Sequence, residues 1–305
     1  GSISLTAGSG SIFGAATPQT GSATSNDGGV GSANSGDITL VASEISDDGS
    51  AAASGAFVVS IGTASGGTAN VDGSLFATTT GSGNAGEIII SSANNLAVAD
   101  LDTASSDTTT VNVTVTAAGN MLTVSNAVDV DQDDVTLTAD DVTIANGIQG
   151  TGTLLLQPLS TTRSIGLGGG AGNFNLDDAD LGQLTDGFIS ITIGRADGEH
   201  AISVDSSTFS DPITIQAPNG AGSISVADSG ATTSGLVGNG DASITIDGPG
   251  ATTTLEADIV TSGNAVLISD NVVLSEIVSI DTTNGGIVAA GNDVTITGTI
   301  EDTNS

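Results

Sequence analysis

The residues of this chain that could do chemistry are mostly aspartates, and a dense group lies in "DVDQDDVTLTADD" (129–141). Asp129, Asp131 and Asp133 alternate, so in an extended strand their carboxylates would share one face. Three carboxylates on one face repel each other unless water solvates them or a cation bridges them. The spacing is that of a calcium loop, but Asp134 stands at the sixth position, where that loop needs glycine. The pattern favours a solvated acidic face, with a weak Ca²⁺ site at the three alternating aspartates as the alternative.

A second group of interest is the glycine-rich stretch "GLGGGAGNFNL" (166–176), which is followed by the acidic "DDAD" (177–180). A phosphate-binding loop of this kind would need Lys and Ser or Thr after its last glycine, or a following helix whose N-terminus holds the phosphate. Gly172 instead leads into "NFNL", and the chain contains no Lys. The stretch therefore predicts a tight turn in which glycines supply positive φ angles. The acids after it form a fainter version of the group at 129–141.

The third group is "GRADGEH" (194–200), which gathers Arg195, Asp197, Glu199 and the single histidine, His200. These residues could form an acid–base cluster. The simpler interpretation is a surface turn in which Arg195 pairs with a nearby carboxylate. An enzyme acting on sugars would need paired carboxylates in a groove and aromatic rings for stacking. With no Trp and no Tyr in the chain, we predict that it is not an enzyme.

The elements that must position these groups are short strands. Ile, Val or Leu alternates with Thr, Ser or Asp in "GDITLVA" (36–42), "FISITIG" (188–194), "PITIQA" (212–217) and "SITIDG" (243–248). Strict alternation is the signature of a half-buried strand. Such strands recur about every 20–30 residues with no helical segment between them, which is typical of a solenoid.

Composition restricts the class of protein and its partners. The chain carries 2 Lys or Arg against 35 Asp or Glu, for a net charge of −33, and it has no Cys. Phosphate contacts require basic residues, so a nucleic-acid partner is nearly excluded, and an anionic membrane surface is disfavoured for the same reason. The 37% hydrophobic content argues against disorder. No apolar run is long enough to span a membrane, so we predict no membrane insertion.

The fold class predicted from these observations is all-β, a parallel β-helix of about 10–14 coils. A β-sandwich is the competing arrangement, but it would normally place aromatic rings inside, and the chain has only 6 Phe. We expect one continuous segment over 1–305, with a loop excursion near 14–35 and weaker ones at 62–86 and 227–243. Neither chain end carries an obvious cap, because "VTITGTIEDTNS" would continue into "GSISLTAGSGSIFG" as uninterrupted solenoid.

Two stretches carry a family resemblance. "GEIIISSANNLAVADLDT" (86–103) and "DDVTLTADDVTIANGIQGTGTLLLQP" (133–158) resemble the coils of filamentous-haemagglutinin-like large exoproteins, and the passage at 184–218 resembles a recurrent one in the giant members of that group. The resemblance implies a long right-handed β-helix, secretion to the exterior or cell surface, and a role as an adhesin or surface fibre. The secretion domain of that group has no counterpart in 1–305, so the export route is implied by analogy alone.

The function expected from the sequence is mechanical. We predict a non-catalytic structural segment of an extracellular bacterial fibre or cell-surface filament, which stacks end to end or forms part of a giant exoprotein. The alternative is the stalk or ligand-binding shaft of a secreted adhesin, with loops such as 14–35 contacting a cell-surface or matrix ligand. No cofactor is expected, apart from Ca²⁺ at the alternating aspartates.

Overall fold

The computed structural model describes residues 95–98, 110–229, 234–248 and 252–303 in full, and outside these ranges only the backbone of strands. The chain divides into two compact units, an N-terminal unit, Gly1–Leu154, and a C-terminal unit, Leu155–Ser305. Each unit is a stack of short parallel strands. In the described ranges no helix is long and apolar enough to cross a membrane.

The N-terminal unit is built from seventeen strands, and β18 spans its boundary with the C-terminal unit. They are β1 (Ile3–Thr6), β2 (Ser11–Phe13), β3 (Gly21–Ser22), β4 (Ala33–Asn34), β5 (Ile38–Ala42), β6 (Glu44–Ser46), β7 (Phe57–Ile61), β8 (Ala69–Asn70), β9 (Ser74–Thr79), β10 (Ile88–Ser92), β11 (Leu96–Thr103), β12 (Thr110–Val115), β13 (Met121–Val124), β14 (Val128–Asp129), β15 (Asp134–Ala139), β16 (Asp141–Ile144), β17 (Ile148–Gln149) and β18 (Thr153–Pro158).

The C-terminal unit holds one short helix and the remaining strands. They are β19 (Ile165–Gly168), β20 (Phe174–Leu176), α1 (Asp178–Leu181), β21 (Ser190–Gly194), β22 (Ala201–Asp205), β23 (Ser207–Phe209), β24 (Ile213–Gln216), β25 (Ser223–Ala227), β26 (Ser234–Gly238), β27 (Ile244–Asp247), β28 (Thr252–Leu255), β29 (Asp258–Thr261), β30 (Val266–Ile268), β31 (Asn271–Leu274), β32 (Ile280–Asp281), β33 (Val294–Ile296) and β34 (Ile300–Asp302).

The strands of each unit follow one another around a coil and pair with their counterparts in the next coil. In the N-terminal unit one sheet runs β1-β5-β9-β11-β13-β16 and another runs β3-β7-β10-β12-β15. In the C-terminal unit the sheets run β21-β24-β27-β30-β33, β20-β19-β22-β25-β28-β31-β34 and β23-β26-β29-β32. The pairings between these strands are parallel, for example between β21 and β24 and between β1 and β5. This arrangement confirms the predicted parallel β-helix and excludes an antiparallel sandwich.

The register of the parallel strands places apolar residues above one another in successive coils. Ile191 pairs with Ile213, Ile213 with Ile244, and Ile244 with Val266. Each of these four side chains is at most 1% exposed. The Thr residues that alternate with isoleucine within β24 and β27 face outward and are half-buried. Complete burial of each apolar side chain contributes about 1.5–3 kcal/mol. The period-2 alternation read from the sequence therefore forms the apolar interior of the coil stack.

The helix and two of the strands correct the sequence-based expectations. α1 is a single turn in a chain that was expected to have no helix. β9 lies inside the stretch 62–86 and β26 inside the stretch 227–243, both of which were interpreted as weak loop excursions, and Leu236 of β26 is fully buried. The predicted excursion at 14–35 contains the two-residue strands β3 and β4, and its other residues lie outside the described part of the chain.

Buried aspartates hold the corners between strands. Asp140 accepts a 2.6 Å hydrogen bond from the backbone N–H of Gly119, and Asp270 accepts one of 2.9 Å from the Thr253 hydroxyl. Both carboxyl groups belong to residues that are 4% exposed. A buried corner exposes backbone donors that the strand ladders leave unpaired, and a short carboxylate can accept from them. Part of the large aspartate content is thus structural.

Candidate functional site

Three aspartates of the C-terminal unit converge at one corner of the coil stack. Carboxylate oxygens of Asp186, Asp211 and Asp241 lie within 4.8 Å of one another, and in the described ranges this aspartate trio is the one group of three or more acidic or histidine side chains so arranged. Asp211 is buried, with 1% of its surface exposed, whereas Asp186 and Asp241 are exposed. Such a set offers three oxygen ligands to a hard cation, or shares a proton among its members.

The backbone brings the trio together through turns that precede strands. Asp186 lies in a turn with Gly187 before β21, Asp211 precedes Pro212 and β24, and Asp241 follows Gly240 in the turn before β27. Asp, Gly and Pro are the residues that such turns favour. Because β21, β24 and β27 pair in register, the turns that precede them lie at the same corner of successive coils. The three aspartates are at different distances from the paired isoleucines, so the shapes of these turns, and not register alone, bring the carboxylates together.

The electrostatics of Asp211 differ from those of an ordinary aspartate. The backbone N–H of Gly187 donates a 2.8 Å hydrogen bond to Asp211 Oδ1. Burial, together with the negative charges of Asp186 and Asp241, nevertheless raises the pKa of Asp211 to about 6. Burial is the largest cause, and the hydrogen bond from Gly187 opposes it. Asp211 therefore takes up a proton in a pH range where an exposed aspartate is fully ionised.

A cavity of about 290 Å³ lies beside Asp211. Its apolar lining includes Leu181 of α1, Ile191 of β21 and Phe209 of β23, and its carboxylates are Asp178 and Asp211. Hydroxyl groups at both ends of β23 complete the wall. We call this space the helix cavity. Its volume falls at the lower end of the range for small-molecule sites, about 300–1,000 Å³.

Asp129, Asp131 and Asp133 do not form the shared acidic face expected from their alternation. β14 ends at Asp129, and the chain then turns, with Asp131 at φ 41° and the N–H of Asp133 donating to the carbonyl of Val130 at 2.8 Å. Asp129 is half-buried, Asp131 is exposed and Asp133 is fully buried. Three side chains on a turn do not point to one side as they would in a strand, so this part of the expectation is wrong.

The interactions of these three aspartates are those of side chains in a turn between strands. Asp129 Oδ2 accepts a 2.6 Å hydrogen bond from the side-chain amide of Gln149, which pairs with it in the neighbouring coil. Burial, with the charges of Asp129 and Asp133 as further causes, raises the pKa of Asp131. A weak Ca²⁺ site at Asp129, Asp131 and Asp133 stays a prediction.

The glycine-rich stretch and the acids after it have structural roles. A Cβ atom at Gly172 would lie 2.0 Å from the backbone nitrogen of Gly166, so the two backbones approach more closely than any side chain permits. β19 and β20, on either side of the loop, pair in parallel. Asp177 caps α1, because its Oδ1 accepts from the N–H groups of Ala179 and Asp180 at 2.8 and 3.0 Å.

The "GRADGEH" group separates into a surface ion pair and a buried imidazole. Arg195 Nε lies 2.7 Å from Asp197 Oδ1, as the surface-turn interpretation predicted, and this hydrogen bond is the largest factor lowering the pKa of Asp197. His200 is fully buried, with Nδ1 2.8 Å from the carbonyl of Arg163 and no hydrogen-bond partner at Nε2 among the residues that the structure describes. Burial lowers its pKa, so it is a neutral packing residue and not part of an exposed acid–base cluster.

The sequence-based search missed the aspartate trio. Its members are isolated in the sequence, in "TDGF", "SDPI" and "GDAS", and none lies in an acid-rich run. The signal that could have found two of them is positional, since Asp211 and Asp241 both come shortly before the strands "ITIQ" and "ITID", which have the same pattern.

No protein-family model, no curated protein and no solved structure matches this chain.

Proposed function

We propose that this chain is a structural, non-catalytic segment of an extracellular bacterial fibre or cell-surface filament. Its coils continue end to end, either into further coils of a giant exoprotein or onto another copy of the chain. The proposal is supported by a fold in which every coil provides the template for the next. It also agrees with the acid-rich, base-poor composition, which suits a salt-containing exterior where counterions screen self-repulsion.

The observation that carries this proposal is the unbroken register of the buried columns in the C-terminal unit. Ile191, Ile213, Ile244 and Val266 pair in succession, and each is at most 1% exposed. The column of the neighbouring sheet, which includes Ile224 and Val272, is buried in the same way. One pattern is thus repeated from each coil to the next.

A repeated register favours the addition of another coil. Val294 of β33 pairs with Val266, and Ile300 of β34 pairs with Val272, so these residues continue the two columns. A coil that pairs with β33 and β34 would extend both the parallel backbone ladder and the apolar interior.

Electron microscopy of negatively stained protein tests the end-to-end form of the proposal. We expect filaments much longer than one chain for the native sequence. A double variant, Val294→Asp with Ile300→Asp, should give short particles, because each new carboxylate would have to be buried at the junction. Ile277→Asp is the matched control, since Ile277 is fully exposed and lies outside the strands. It should leave the filaments intact.

Two results would contradict the proposal. One is single particles under all conditions from the protein as it is isolated from its cells. The other is a location inside the cell, as judged by resistance of the chain to protease added to intact cells. Imaging repeated with a calcium chelator tests the weak site at Asp129, Asp131 and Asp133, because loss of filaments on chelation would assign Ca²⁺ a structural role.

The second candidate function is the stalk or ligand-binding shaft of a secreted adhesin. The helix cavity favours it, because a purely structural coil stack has no need of a recess lined by carboxylates and apolar side chains. The purified chain should then bind cells or matrix saturably, and Asp211→Asn should reduce that binding while filaments persist.

A further inference from the structure

The helix cavity combines two features that point to one kind of ligand. Leu181, Ile191 and Phe209 give it an apolar wall, and Asp178 and Asp211 give it negative charge. None of the described residues that line it is Lys, Arg or His. A ligand that satisfies both features carries a positive charge at the end of a short aliphatic body.

We propose that the helix cavity binds a primary ammonium group carried on an aliphatic chain, and that Asp211 is its principal anionic contact. This inference goes beyond the structural function proposed above and does not depend on it. The ammonium group belongs either to a free aliphatic amine or to a lysine side chain of a partner protein. The chain itself cannot supply it from a side chain, because it contains no Lys.

Burial makes Asp211 the effective contact. Asp211 is 1% exposed and lines the cavity, whereas Asp178 is exposed on α1. A charge-assisted hydrogen bond is stronger where water is excluded, because the local dielectric constant is low. The Gly187 N–H already binds Asp211 Oδ1 and orients the carboxyl group. An ammonium group therefore meets a carboxylate that has little solvent to compete for it.

The charges around Asp211 favour a cation. Carboxylate oxygens of Asp186 and Asp241 lie within 4.8 Å of one from Asp211, and Asp178 of α1 also lines the cavity. A bound ammonium group offsets the repulsion among these carboxylates.

A divalent cation is the competing ligand for the same corner. It would be held by all three members of the aspartate trio, and two of these, Asp186 and Asp241, do not line the cavity. The apolar wall would then have no role. This difference separates the two ligands experimentally, because an ammonium group depends on Asp178 and Asp211, and a metal ion depends on Asp186 and Asp241 as well.

Isothermal titration calorimetry on the full chain tests the proposal, with n-butylammonium chloride as the probe at pH 7.5. We expect saturable binding to one site. 1-Butanol, which has the same aliphatic body without the charge, should bind at least about tenfold more weakly. Nα-Acetyl-lysine methylamide separates the two sources, because tighter binding than butylammonium indicates a protein side chain.

The variants make the test specific. Asp211→Asn keeps an acceptor for the Gly187 N–H and should weaken binding of butylammonium about tenfold or more. Asp247→Asn, on β27 and outside both the aspartate trio and the cavity lining, is the matched control and should change it less than about twofold at pH 7.5. Asp178→Asn, which leaves the capping residue Asp177 in place, should weaken it by an intermediate factor and serves as the test if Asp211→Asn does not fold.

The proposal is overturned by any of three results. The first is no saturable binding of butylammonium at pH 7.5. The second is equal binding of butylammonium to the native chain and to Asp211→Asn, or equal binding of 1-butanol. The third is saturable binding of CaCl₂ that is lost in Asp241→Asn, in a chain that does not bind the amine.

Discussion

Replacing Asp211 by Asn should stabilise the protein at neutral pH. In the native chain the buried carboxyl group of Asp211 must ionise beside the carboxylates of Asp186 and Asp241, and its pKa is raised to about 6. An amide has no charge to bury, and its oxygen can accept the same hydrogen bond from Gly187 N–H. The amide nitrogen becomes a donor toward the neighbouring carboxylates.

The magnitude follows from the pKa. An aspartate in the unfolded chain ionises near 3.8, so the folded state holds the proton of Asp211 more tightly between pH 4 and pH 6. The contribution of Asp211 to stability is therefore most favourable below pH 4 and falls as the pH rises through about 6. Each tenfold change in proton affinity corresponds to about 1.4 kcal/mol, which sets an upper bound of about 3 kcal/mol. Solvent screening at the exposed Asp186 and Asp241 reduces the expected value to about 1–2 kcal/mol.

Urea unfolding followed by circular dichroism at pH 4, 5, 6 and 7.5 measures this difference. The native chain and Asp211→Asn should have similar free energies of unfolding at pH 4, and the variant should be about 1–2 kcal/mol more stable at pH 7.5. Asp247→Asn, on β27 and outside the aspartate trio, removes the same charge and should not reproduce the pH dependence. Equal stability of native and Asp211→Asn proteins at all four pH values would refute the reasoning.

Three further predictions concern two glycines, the buried histidine and the cap of α1. Gly172→Ala should destabilise the C-terminal unit by about 2 kcal/mol or more, because the new Cβ atom would clash with the backbone of Gly166. Gly119→Ala should cost about 1 kcal/mol, because no atom lies within 4 Å of its Cβ position and only the positive φ opposes the change. Urea unfolding of both variants measures the difference. Burial should hold the pKa of His200 below the ordinary histidine value, and the neutral ring should carry its proton on Nδ1; a ¹⁵N NMR titration that gives an ordinary or raised pKa would contradict this. Asp177→Ala should cost about 1 kcal/mol through loss of the α1 cap, seen as faster hydrogen exchange at Ala179 and Asp180 relative to the amides of β24.

The strands of the described coils could be predicted because one rule decides them. In a parallel β-helix each strand has one buried face, so the alternation in "ITIQ" and "ITID" translates directly into the buried column through Ile213 and Ile244. The recurrence of the same pattern at coil spacing then implies stacking. Local pattern and long-range pairing agree here, which is why the fold class followed from the residues alone.

The corners could not be predicted in the same way. Whether Asp129, Asp131 and Asp133 share a face depends on where β14 ends, and the turn at Asp131 is set by the hydrogen bond from Asp133 N–H to Val130. Alternation along the sequence is compatible with both a strand and a turn. The aspartate trio is harder still, because its members come from three different coils and meet through the shapes of three turns of unequal length before strands that pair in register.

Asp205 and Asp211 show what decides between a structural corner and a candidate site. Both are buried aspartates at the ends of neighbouring strands of the same coil, and burial favours the protonated form of each. At Asp205 the hydrogen bonds from Ser229 outweigh burial and lower the pKa. At Asp211 burial raises the pKa, and the charges of Asp186 and of Asp241 in the next coil add to the rise. Burial acts on both aspartates, so the difference lies in their neighbours: the next coil offers hydrogen-bond donors to Asp205 and a second carboxylate to Asp211.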